Sequence, residues 1–431
     1  MINIRKNNRG FALIFSLLLT LFFAMFVDTY CVLVNSNTRF AQTTGDSLRA
    51  YYVANAGIAY AFNQLENGTT NLALTSPINY TVGPGLVGNY SVSISSVGSQ
   101  PWPTVTIRSI SSYGTATKTL TLVVQPRSVS RWGYMSNTEN NPSLGNLWFI
   151  TGMTTEGPVH TNGTFNMYGD PIFTGPVTQS GSAINYYHGG PPQDEPVFEG
   201  GFTSGVPQVN FASATNPVIT NIKTSAQSSG GLSLSGNTTI QLESSGKIQV
   251  TNSTKFGNNN PHEISIPANG SIFVTGGTAT VWGTLNGQLS IGCDSDILIS
   301  DNILYHQDPR TNPASTDILG LVAQNNINVG ATGPYNLEID ASLVALTGSF
   351  QVPGWSTFAK GNMVQFGGLV NNASGCTGAF DPSTGTVVAG YNQIMAYDIR
   401  LQGGLTPPGF VPVQDATGRV YYSKISLAES G

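Results

Sequence analysis

The sequence predicts a mainly β protein hung on one long N-terminal helix, and three observations carry that reading. Only 9% of the 431 residues are charged, while Gly numbers 50 and Pro 24; an average soluble domain is about 25% charged. With 40% hydrophobic and 10% aromatic residues the chain still has enough apolar material for a core, so low charge here does not mean disorder. The third observation is a change of pattern along the chain. One uninterrupted apolar run opens it, and short alternating runs separated by Gly, Asn, Asp and Ser fill the rest. The uncharged polar remainder, mostly Ser, Thr, Asn and Gln, suits tight turns and the exposed faces of strands. This is the composition of an extracytoplasmic all-β protein and argues against a cytosolic helical enzyme.

The first element is the apolar run. Residues 1–10 (MINIRKNNRG) are short and basic, and Phe11 to Val27 follow without a charge. After Asp28, apolar character continues to Val34. Helix from Phe11 to Val34 would span about 36 Å, enough to cross a hydrocarbon core of about 30 Å. Arg5, Lys6 and Arg9 precede the span and no basic residue closely follows it. That asymmetry places the N-terminus in the cytoplasm and the remainder outside the inner membrane. A small-residue cleavage site after the apolar core is not evident. Cutting between Gly10 and Phe11 is the alternative, with an uncleaved signal anchor as the plain competing reading. From Asn35 to Leu65 there is no Pro and only two Gly. Leu48, Tyr51, Tyr52, Ile58, Ala59, Phe62 and Leu65 recur at helical spacing, so the membrane helix is expected to run on as an amphipathic helix to residue 66.

A basic leader, then Gly10, then an aromatic opening a long apolar helix resembles the class III signal of type IV pilins and pseudopilins, where a prepilin peptidase cuts after the Gly. The stretch Ala54-Asn55-Ala56-Gly57 resembles the Ala-Glu-Ala-Gly pattern of PilX-type minor pilins, with Asn55 in place of Glu. Major pilins of that family usually carry Glu at the fifth mature position, here Phe15; its loss fits a minor or tip subunit better than a shaft subunit. Asp28 is the only charge in the span, so Phe15 and Asp28 are the residues expected to matter for helix assembly. Near the outer end, Asp28 also has the plain option of reaching interfacial water.

Residues 67–126 form the next unit. A turn-rich stretch, 67–85, closes the helix, and alternating runs at 89–97, 104–113 and 117–125 predict a three-stranded antiparallel meander. Val92, Ile94, Val105, Ile107, Leu120, Leu122 and Val124 supply its buried face. From 127 to 431 the sequence predicts a large β domain with no helical window of any length. Rung-like segments between 230 and 375, aligned on Asp296, Asp317, Asn336 and Asn362, step by about 20 residues, as in a parallel β-helix. A jelly roll or paired sandwich is the competing architecture. Segments 156–181 and 396–410 resemble a bacterial domain family of unknown function, over roughly 130–412. That resemblance implies no activity.

No catalytic constellation stands out, and no cofactor is expected. Asp294, Asp296, Asp301, His306 and Asp308 form the densest polar group. Asp294, Asp296 and Asp301 are candidate Ca²⁺ ligands, although Asp at strand ends more often caps turns. His160 sits in a turn-rich stretch and reads first as a structural histidine. Tyr186, Tyr187, His188 and Trp355 are candidates for a surface glycan platform, against the plainer reading of packing. Cys293 and Cys376 are a candidate disulfide in an oxidising compartment. A net charge of −5 without a basic block excludes a phosphate-tracking nucleic-acid surface. The function expected is thus a non-enzymatic minor pilin or pseudopilin of a type IV pilus or secretion system. It would display its β domain at a filament tip for assembly priming or adhesion, with other pilins, the prepilin peptidase and the inner membrane as partners. A membrane-anchored β-helix outside any filament and a polysaccharide-active enzyme on a pilin-like anchor are the alternatives.

Overall fold

A computed structural model describes residues 9–74, 76–97, 104–126, 128–210, 216–410, 414–415, 420 and 422–430. Residues 1–8 of the expected leader 1–10, and residues 98–103 between two of the expected strands, lie outside them. The first element, α1, runs from Arg9 to Glu66 without a break. From Phe11 to Thr43 all its residues are exposed, so its apolar half projects from the body of the molecule. The helix is long and apolar enough to cross a membrane.

The second half of α1 packs on an antiparallel sheet through part of the predicted face: Ile58 and Leu65 are in the core, and Tyr51 and Phe62 pack against it. Leu48 and Tyr52 are more than half exposed, and the buried stripe is Ala50, Val53, Ala54, Gly57, Ile58, Ala61 and Leu65. Its small residues let helix and sheet come unusually close. A methyl group on Gly57 would overlap Ser109 Oγ and crowd the Tyr90 ring. Ser111 Oγ donates to Ala50 O at 2.6 Å. The predicted buried face of the meander is in place, with Val92, Ile94, Val105, Ile107, Leu120, Leu122 and Val124 all in the core against α1.

The sheet is larger than three strands. Leu86–Val97, Thr104–Tyr113 and Ala116–Pro126 form the meander, and Leu72–Ala73 and Ile78–Gly83 add to Leu86–Val97 on one side. On the other side, Tyr422–Ser430 pairs antiparallel with Ala116–Pro126. The last strand therefore returns to the first sheet, a correction to the expectation that everything after 126 belongs to the large β domain. Lys118 Nζ and Glu429 Oε1, 2.6 Å apart, tie the two strands.

The large domain is a coil of parallel strands, not the antiparallel sandwich held as the alternative. One wall contains ten strands. The chain enters this wall in its middle, at Tyr134–Thr138, and climbs through Val159–Thr161, Val177–Gln179 and Phe202–Thr203. It then runs back to the opposite end and restarts at Leu232–Ser235. From there it climbs through Ser271–Thr275, Gln288–Cys293, Ile318–Ala323 and Ser342–Ala345 to Leu369–Ala373. That last strand pairs with Tyr134–Thr138, so the final coil closes against the first along a seam. A second wall repeats this order, with Thr155 beside Met395 at its seam.

The returning segment contains a helix that the sequence reading excluded. This element, α2, spans Pro217–Gln227, with Pro217 in its first turn and the Asn216 side chain accepting from Val218 N at 2.9 Å. Its buried residues Val218, Ile219, Ile222 and Ala226 pack on Phe273, Val322 and Val344, which face outward from the ten-stranded wall. Both faces of that wall are thus covered. Ile318–Ala323 is buried at every position, and its continuous apolar run follows from burial on two sides.

The polar corners stack from coil to coil. Asp296 Oδ1 accepts from Asn326 N at 2.8 Å, and Asn326 Oδ1 accepts from Ser349 N at 3.0 Å. Asn336 Oδ1 similarly accepts from Asn362 N at 3.0 Å. Of the predicted rung steps, only Asn336 to Asn362 joins equivalent positions. Asp317 lies at a different corner, accepting from Gly287 N and Gln307 N at 2.8 Å each.

Candidate functional site

The N-terminal residues singled out from the sequence all lie on the projecting half of α1. Gly10 is in the first turn, Phe11 is 77% exposed, and Phe15 and Asp28 are exposed further along. Among the described residues Asp28 has no ion-pair partner. Among the described residues nothing covers this apolar surface.

The aspartates do not converge. Asp294 Oδ1 accepts from Gly276 N at 2.7 Å, Asp296 serves the corner stack, and Asp301 Oδ1 accepts from its neighbour Asn302 N at 2.7 Å. Each carboxylate is committed to a backbone N–H, that of an adjacent coil for Asp294 and Asp296 and that of the next residue for Asp301. Asp308 pairs with Arg310 at 2.8 Å, and His306 is exposed. Among the described residues no three His, Cys, Asp or Glu side chains are grouped to hold a metal ion.

Cys293 and Cys376 are both buried free thiols. The structure does not bring them together: Cys293 Sγ donates to Gly277 O at 3.1 Å and Cys376 Sγ to Gly378 O at 3.1 Å. Burial pushes the Cys293 thiol up to about 11 and raises Cys376 as well, so neither is an activated nucleophile. His160 is buried, with Nδ1 2.9 Å from Thr178 Oγ1 and Nε2 2.9 Å from Asn162 Oδ1. Burial lowers its pKa, which keeps a ring committed to two neutral partners uncharged.

The aromatic candidates fare differently. Tyr187 and His188 join a surface cluster whose other members, Trp148, Tyr168 and Phe380, are distant in the chain. Tyr187 lies 5.0 Å from Trp148 and 5.1 Å from Tyr168, and Tyr168 lies 4.7 Å from Phe380, centroid to centroid. The loop is clasped beneath by buried Asp194, which accepts from Gly169 N and faces His188 Nδ1, each at 2.9 Å. Burial alone would raise the Asp194 carboxyl, but these donors hold it below its usual value. Tyr186 packs inward against the core instead.

Trp148 and Phe380 also line a cavity of about 330 Å³, together with Trp355 and Tyr391. It lies at the seam: residues 144–153 of the first coils form one part of its wall, and 374–395 of the last coils form another. Polar side chains in the lining are neutral, among them Asn146, Thr377, Asn392 and Gln393. Behind the wall, buried Glu139 accepts from Tyr134 Oη at 2.8 Å and from Ser136 Oγ. Tyr134 Oη is also 3.2 Å from Ser374 Oγ, so this network joins the two sides of the seam. Burial raises the Glu139 carboxyl, yet it does not line the cavity and has no access to a ligand there. Trp148, Tyr168, Phe380 and Gln393 were missed in the sequence because their partners are far away in the chain. A Trp-Phe pair beside a Gly-Asn turn was the only local signal.

Three comparisons bear on the chain's relationships. A family described only as a domain of unknown function, DUF4900, matches residues 90–182. That segment joins the meander to the first coils and covers less than half of the chain, a shorter match than the sequence resemblance over 130–412. No curated protein matches the chain. Among solved structures, the competence-associated pilin ComZ from Thermus thermophilus is similar at 12% identity and a TM-score of 0.39, covering 89% of this chain and 98% of that one. A likeness of that size carries no argument about this chain's function.

Proposed function

We propose that this chain is a minor pilin or pseudopilin that carries a large β domain at the end of a filament. The observation that carries the proposal is α1 itself. One unbroken helix leaves an apolar half uncovered and clamps its other half to an antiparallel sheet. Such a helix can reside in the inner membrane and then exchange lipid for the apolar helices of neighbouring subunits, because both surroundings satisfy the same surface. The basic leader ending at Gly10 fits removal by a prepilin peptidase before assembly.

Phe15 supports a terminal position. A carboxylate at that place in a shaft subunit would offset a neighbour's N-terminal ammonium in an apolar environment, where an unpaired charge is costly. An apolar ring offers no such partner, and a domain of this bulk would collide with copies stacked along a shaft. The work of the β domain is then priming of assembly or attachment to a surface, and no enzymatic step is assigned to it. Immunogold labelling of sheared filaments tests the position. Label confined to filament ends is expected, whereas label spread along the shaft would contradict it.

A further inference from the structure

We infer that the seam cavity is a binding site for a neutral sugar ring. The inference stands on the cavity alone and does not depend on whether the chain joins a filament. About 330 Å³ lies at the lower end of the range for small-ligand pockets, and the wall combines aromatic faces with a few polar groups. No residue lining it is charged. An ionic ligand would surrender its hydration for nothing of opposite sign, so the occupant is neutral.

The polar groups decide between a hydrocarbon and a polyol. Gln393 Oε1 accepts from Thr377 Oγ1 at 3.2 Å, leaving the Gln393 amide N–H groups available. Asn392 donates to Asn362 Oδ1 at 3.1 Å and keeps its own carbonyl oxygen, and the exposed Asn146 amide has no partner among the described residues. A purely apolar guest would strip water from these amides without replacing its hydrogen bonds. A pyranose presents donors and acceptors around its edge and C–H groups on its faces, which suits amides beside the Trp148, Trp355 and Phe380 rings.

The same geometry extends beyond one ring. Trp148 and Phe380 belong both to the cavity wall and to the outer cluster with Tyr168 and Tyr187, and Tyr187 is 41% exposed. A second sugar unit leaving the cavity would meet that ledge. An oligosaccharide end is therefore the ligand class assigned.

The test uses the full chain in a detergent without a sugar headgroup. Cellobiose, maltose and N,N′-diacetylchitobiose are titrated at up to millimolar concentration, with naphthalene as the apolar probe. Tryptophan fluorescence and saturation-transfer NMR give the readout. Saturable binding of at least one disaccharide is expected, weakened about tenfold or more in Trp148→Ala and in Gln393→Ala. Asn146→Ala, on the exposed two-residue strand Gly145–Asn146, should also weaken it without changing the melting temperature, which separates lost contacts from lost folding. Binding of naphthalene alone, binding of no disaccharide, or disaccharide binding indifferent to all three substitutions would overturn the inference.

Discussion

At the residue scale, close approach and burial produce effects of opposite sign. Gly57 is required because the sheet lies against the helix backbone, and Ser109 Oγ, the atom a methyl would strike, is buried without a partner. Gly57→Ala should therefore destabilise the N-terminal unit by about 1–3 kcal/mol through overpacking. Ser109→Ala should be neutral or stabilising, and combining it with Gly57→Ala should recover part of the loss. Denaturant titration of the four proteins measures the cycle; strictly additive effects would contradict the contact. Asp340 offers a pH test. Its Oδ2 accepts from Tyr305 N at 2.9 Å, Arg310 is 3.7 Å from Oδ1, and burial raises its pKa from 3.8 to about 7. Between those values the folded chain holds a proton that the unfolded chain releases. Stability should fall as pH rises through that window. Asp340→Asn removes this slope and should be more stable than the wild type above pH 7, by about 1–3 kcal/mol once Arg310 has lost one partner. Melting curves from pH 4 to pH 8 check it, and parallel curves would rule it out.

At the element scale, legibility followed locality. The helix, the meander and its buried face could be read because alternation and helical spacing are properties of neighbouring residues. The helical spacing picked out Ile58 and Leu65 of the buried face of α1 but passed over Ala50, Ala54, Gly57 and Ala61, because small residues carry little apolar signal. The exposed Leu48 and Tyr52 are left for other surroundings. Helix α2 carried a readable start, Asn216-Pro217, and apolar residues at 218, 219, 222 and 226. It was overlooked inside a polar stretch. It covers the outer face of the wall, and Ile222 is fully buried there. Ile222→Ala should cost about 2–5 kcal/mol, and Asn216→Ala about 1 kcal/mol through the lost cap. Thermal unfolding of both variants measures this, and an unchanged midpoint for Ile222→Ala would mean that α2 is not docked.

At the scale of the whole molecule, the order of coils differs from the order of the chain. The first coils stack on the last, and the terminal strand returns to the first sheet. No local pattern reveals such a closure, because parallel strands of similar composition offer many equivalent partners. The cavity was illegible for the same reason: Trp148 and Phe380 come to line one cavity only across the seam. The projecting helix, in contrast, was written in one continuous stretch, and the functional reading rests on it. On the proposed function, this helix is processed and built into a filament. Mass spectrometry of filaments sheared from cells measures that directly. The protein is expected among the sheared subunits, with a mature N-terminal peptide beginning at Phe11. Retention in the membrane fraction with Met1 intact, or a mature chain beginning after Asp28, would contradict it.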